Sequence, residues 1–124
     1  MSEKMSEREI FLSDVIITAV EGGIQYWACI HGCYSHGDFD DERTPAKATL
    51  LALDTSEVLP LNNDVVAKAF KAVLGHDEIP GADKNWRKRM VAAYWDVEDG
   101  VCDIDADDAD ALVQIGLFGE VRYC

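Results

Sequence analysis

The sequence predicts an α+β fold: a small antiparallel sheet of three or four strands packed against a single layer of three or four helices. Three observations predict it. Apolar residues recur at helical spacing in four separate stretches. Two short apolar runs without that period, 24–30 and 48–53, lie between the first and second stretches, close enough in sequence to pair antiparallel. The chain has 124 residues, 48% of them hydrophobic and 28% charged, which suits one domain with one packed core. Residues 1–124 are therefore read as a single domain, with 1–5 a frayed lead-in.

The first helix is expected over 6–21, where Ile10, Phe11, Val15, Ile16, Ala19 and Val20 share a side. A shorter helix with Ser13 as N-cap fits equally well. Gly22-Gly23 is a helix stop. The run Ile24 to Ile30 reads as a strand, with Ile24, Tyr26, Ala28 and Ile30 on one face and Trp27 and Cys29 on the other. A long loop over 31–47 leads to a second strand, Ala48 to Leu53. Asn62 or Asn63 caps the next helix, whose buried stripe is Val66, Ala69, Phe70, Val73 and Leu74. A third helix spans Asp83 to Trp95, with Trp86, Met90 and Tyr94 turned to the core. Asp99-Gly100 is a turn, Val101 to Ile104 a short strand, and Asp105 the cap of a last helix through Leu117. Glu120 to Cys124 completes the sheet as a final strand.

The charge is uneven. The net charge is −13, and twelve carboxylates in two blocks account for all but one unit of it. Asp96, Glu98, Asp99, Asp103, Asp105, Asp107, Asp108 and Asp110 form one block without a Lys or Arg among them. Asp38, Asp40, Asp41 and Glu42 form the other. A local field of one sign steers partners of the opposite sign. Duplex DNA carries one charge per roughly 1.7 Å of axis, so a carboxylate-studded helix end and loop imitates part of a phosphate backbone. The competing reading is a solvated face with ordinary first-turn aspartates. Asp103, Asp105 and Asp107 also match the opening of a calcium loop, but Asp108 stands where that loop needs glycine and Gln114 where it needs glutamate.

Three other constellations compete. Cys29, His31, Cys33 and His36 supply enough thiols and imidazoles for zinc or for a cysteine nucleophile. An extended chain holds the first three about 6–7 Å apart, too far for one metal unless Gly32 bends it. The stretch Lys84-Asn85-Trp86-Arg87-Lys88-Arg89 has the chemistry to meet phosphates, yet on a helix its cations line the solvent side and balance the acidic block. Tyr26-Trp27 beside the glycine pair suits a small-molecule pocket. No cofactor or bound metal is expected. With no signal peptide and no membrane-length apolar run, the expected location is the cytoplasm.

Glu21-Gly22-Gly23-Ile24-Gln25-Tyr26-Trp27 and the segment Asp105 to Tyr123 resemble parts of small acidic proteins of phage and bacterial genomes. Proteins of that kind include anti-restriction and anti-CRISPR inhibitors, some of them DNA mimics. The resemblance covers about a quarter of the chain and carries no residue roles. It implies a mobile-element origin and no activity; together with the acidic blocks, the expectation is a phage-type stoichiometric inhibitor rather than an enzyme, working in the host cytoplasm. The twelve carboxylates would hold a basic nucleic-acid-binding protein or complex, with no direct contact to nucleic acid or membrane.

Overall fold

Seven elements follow one another in a computed structural model that describes residues 6–35, 45–75, 79–96 and 104–123, and their side chains apart from that of Cys33. Helix α1 (Glu7–Gly22) starts at Ser6, whose hydroxyl accepts the Glu9 N–H at 3.1 Å. The Glu9 carboxylate accepts the Ser6 N–H at 3.2 Å in return. This capping box satisfies two N–H groups that a bare helix end leaves unpaired, and it selects the longer of the two expected helices. Ser13 is instead buried inside α1. Its Oγ donates to Asn63 Oδ1 at 3.0 Å and accepts the Ala46 N–H at 3.2 Å.

Strands β1 (Ala28–Ser35), β2 (Lys47–Ala52) and β3 (Val58–Leu61) form an antiparallel sheet in the order β1-β2-β3. Ala28 pairs with Ala52, and Leu50 lies between Ile30 and Leu59. One face is buried through Ala28, Ala48, Leu50, Ala52, Leu59 and Leu61. The other leaves Cys29 and Val58 exposed. The first strand thus begins later and ends later than its composition suggests. Residues 24–27 wind in turns, because the Trp27 and Ala28 amides both donate to the Ile24 carbonyl. Trp27 and Ile24 are consequently both buried, while Tyr26 is exposed. Strand β3 has no counterpart in the sequence reading: it is four residues long and contains Pro60, tolerable here because β3 is an edge strand.

Helix α2 (Asn63–Gly75) follows directly. Asn62 is its cap, accepting the Val65 N–H at 3.1 Å, while Asn63 reaches back to donate to the Glu9 carbonyl at 3.1 Å. Helix α3 (Lys84–Trp95) is capped by Asp83. Helix α4 (Ala106–Phe118) is capped by Asp105 and ends at Gly119, which takes the left-handed conformation with φ 79°. Helix α4 packs between α1 and α2 and also meets β3, and α3 packs on α2. A helix enclosed on several sides is apolar nearly all round, and Ala109, Leu112, Val113 and Ile115 are all buried. Gly116 sets its approach to α2, since a methyl group there would run into the Val65 carbonyl.

Residues 120–123 are not a strand. They are held by side chains, as described below. The expected turn at Asp99-Gly100 and residues 101–103 of the expected short strand lie outside the described residues; Ile104 is buried and not part of a strand. Among the described residues no helix is long and apolar enough to cross a membrane.

Candidate functional site

Seven of the twelve acidic candidates, Asp38, Asp40, Asp41, Glu42, Glu98, Asp99 and Asp103, lie outside the described residues. The other five divide sharply. Asp96, Asp105 and Asp107 are exposed, whereas Asp108 and Asp110 keep only 3% and 6% of their surface. The sequence places both on a docking surface; the structure corrects this. Two residues apart on a helix, they point to opposite sides of α4, and each meets donors from a different neighbour.

Asp108 faces α3. Its carboxylate accepts from Arg89 Nη2 at 3.0 Å and Nη1 at 3.2 Å, and from Trp86 Nε1 at 2.8 Å. It also closes the α4 capping box, accepting the Asp105 N–H at 3.2 Å while its own N–H donates to Asp105 Oδ1 at 2.8 Å. Burial pushes its pKa up, but the hydrogen bonds from Arg89, the Asp105 amide and Trp86, with the Arg89 charge, outweigh burial and hold it below the usual carboxylate range. The same pairing raises the pKa of Arg89.

Asp110 faces the link between α1 and β1. It accepts from Tyr26 Oη at 2.5 Å, Trp27 Nε1 at 2.7 Å and Gln114 Nε2 at 2.9 Å. Gln114, fully buried, carries the network on to the segment after α4. Its Oε1 accepts the Arg122 and Tyr123 amides at 2.8 and 2.6 Å, and its Nε2 donates to the Tyr123 carbonyl at 3.1 Å. One side-chain amide thus does the pairing that the sequence assigns to a final strand.

Between the starts of α3 and α4 lies an open cleft of about 380 Å³. Trp86 and Val121 form apolar walls, Asp83, Asp105 and Asp107 stand around it, and the Arg89–Asp108 pair lines it. Asp83 accepts the Asn85 N–H at 3.1 Å as the α3 cap, so the N-termini of two helices converge here. Four carboxylates and one guanidinium line the cleft, and that guanidinium is already engaged by Asp108. The cleft therefore carries a negative field even after the helix ends, each worth roughly half a positive charge, are counted.

The basic stretch is partly as expected. Lys84 and Lys88 are exposed and Arg89 balances an acid of the same chain. Met90 is fully buried, and Trp86 and Tyr94 pack against the core half-buried; unforeseen is that Trp86 spends its indole N–H on Asp108. Arg8, which the sequence reading passes over, lies 3.7 Å over the Tyr94 ring. Of the thiol and imidazole cluster only Cys29 and His31 have described side chains. Cys29 and His31 are exposed on β1, Cys33 is described only by its place in β1, and His36 lies outside the described residues. Asp105 caps α4 and Asp107 lies in its first turn, while Asp103, the first residue of the expected calcium loop, lies outside the described residues; among the described residues no three His, Cys, Asp or Glu side chains are grouped to hold a metal ion. The expected small-molecule pocket beside Tyr26-Trp27 is filled. Trp27 is 3% exposed and stacks on Tyr123 with ring centroids 5.0 Å apart.

No protein-family model, curated protein or solved structure matches this chain.

Proposed function

We propose that the chain is a stoichiometric binding protein that docks its acidic cleft onto a basic, nucleic-acid-binding surface of a partner. A phage-type inhibitor of a CRISPR effector or restriction enzyme is the form of this reading that the sequence favours. One observation carries it: exposed Asp83, Asp105 and Asp107 stand around a cleft whose cation is already neutralised by Asp108. A Lys or Arg side chain entering there meets carboxylates on several sides and the half-buried Trp86 ring, an arrangement that rewards a cation twice.

The interface set is narrower than the twelve acids. Asp108 and Asp110 hold the fold and are withdrawn from it; of the described acids Asp105, Asp107 and Asp96 remain, Asp83 joins them, and the seven outside the described residues keep their place in the proposal. Asn caps helices as well as Asp does, so charge can be removed here without losing the caps. The triple variant Asp83→Asn, Asp105→Asn, Asp107→Asn should keep the helical spectrum of the parent. In a pull-down from bacterial lysate it should lose a nucleic-acid-binding partner that the parent retains at low salt and releases at high salt or to added duplex DNA. Equal capture by the folded triple variant ends this reading.

A further inference from the structure

The segment after α4 is bound to the rest of the chain much as a peptide is bound by a receptor. Arg122 and Tyr123 belong to no helix or strand. Their backbone is read by Gln114, which accepts both amides and donates to the Tyr123 carbonyl. Tyr26 Oη, whose proton goes to Asp110, lies 3.0 Å from that same carbonyl. The Tyr123 ring lies flat on Trp27, inclined by 7°, with Phe118 edge-on at 6.1 Å, and its hydroxyl donates to Asp54 Oδ1 at 2.8 Å. Backbone pairing that ignores side-chain identity, next to an aromatic slot ending in a carboxylate, is how a recognition groove reads an extended peptide.

We propose that this groove is a peptide-recognition site, filled in cis by Arg122–Tyr123, that accepts from a partner protein an extended segment with a tyrosine behind a basic residue. The occupant's chemistry is displayed by the strap itself. Tyr123 fills the slot, and Arg122 is exposed with its guanidinium 4.1 Å over Phe118.

The strap can lift without dismantling what lies beneath. The Val121 N–H anchors the chain to the Pro80 carbonyl at 2.9 Å, so opening begins beyond Val121. With the strap away, Asp110 keeps Tyr26, Trp27 and Gln114 as donors, and Gln114 Oε1 alone is left without partners. A buried acceptor without a donor is costly, which favours refilling by another peptide amide. A strap on a short tether competes at an effective concentration in the millimolar range, so it masks the groove from dilute partners. This site lies apart from the acidic cleft and stands or falls without it.

The test uses the full chain carrying Tyr123→Ala, which vacates the slot and leaves Gln114, Trp27 and Asp54 untouched. The probe is a synthetic peptide of the sequence Gly119 to Tyr123, followed through the Trp27 indole resonance. The variant should bind it at least about tenfold more tightly than the parent, in line with removal of a millimolar competitor. A peptide with alanine for the tyrosine should not bind. Equal or absent binding by a folded variant overturns the proposal. Hydrogen exchange of the parent gives an independent check that needs no variant. The Arg122 and Tyr123 amides should exchange through a local opening, well before the α4 amides. Exchange only together with Leu112 would make the strap a fixed part of the core and overturn the proposal as well.

Discussion

Asp108 and Asp110 lie two residues apart on one helix, and they are buried by different means. Asp108 meets a guanidinium, an indole N–H and a backbone amide. Asp110 meets a phenol, an indole N–H and a side-chain amide, all neutral. Arg89 is itself 56% exposed along its side chain, so water screens the charged pair from one side. The Asp110 donors are less forgiving: Trp27 and Gln114 are buried and have no water to turn to. Of the two, the carboxylate with the opposite charge beside it should be the less critical for stability.

The largest effect should therefore come from Asp110→Ala. It strands the Trp27 indole N–H and one hydrogen of Gln114 and loosens Tyr26, a loss of about 3–5 kcal/mol at roughly 1–3 kcal/mol per buried unsatisfied group. Urea denaturation measures it, and a loss below that of Asp108→Ala would reverse the ranking. Asp108→Ala should cost about 2–3 kcal/mol, mostly the cap and the Trp86 hydrogen bond, since Arg89 turns out to solvent. A double-mutant cycle of Asp108→Asn with Arg89→Met should then return a coupling of only about 1 kcal/mol; a value of several would mean that the pair is shielded from water.

The acid limb separates the parent from Asp108→Asn. The folded pKa of Asp108 is lowered, so its contribution is complete above the ordinary carboxylate range, near pH 4, and is lost as pH falls through the lowered folded value. The stability gap between parent and Asp108→Asn should close across that acid window, and a gap independent of pH would refute the assignment. Asp14 is a third case, with burial as the cause of its raised pKa. The sign is opposite: Asp14 favours the folded state more as pH falls. Asp14→Asn should raise neutral-pH stability by a few tenths of a kcal/mol, the smallest effect of the set, and a decrease in melting temperature would show that the charge has a partner.

Much of this arrangement is legible in the sequence where neighbours in the chain decide it. The period of Phe11, Val15, Ile16 and Ala19 marks α1, and Asp105 marks the start of α4, because helical spacing and capping act over three or four residues. The pairing of β1 with β2 follows from their proximity along the chain. The pattern Asp105-x-x-Asp108 is itself a capping-box signal with aspartate in place of glutamate, and reading it that way would have turned Asp108 inward. Gln114 stands one helical turn from Asp110, but its other two donors stand 83 and 84 residues away at Trp27 and Tyr26, where no local signal reaches.

By itself the sequence determined the helices, the Asp105 cap, the antiparallel strand pair and the excess of negative charge, all properties set by residues close together in the chain. Tertiary structure alone decided which carboxylates face a partner and which face the core. It also turned an expected last strand into a strap gripped by Gln114 and made a turn rather than a strand of Ile24 to Trp27. The physical reason is that burying a charge depends on donors brought from distant parts of the chain, and a buried amide satisfies a backbone as well as a neighbouring strand does.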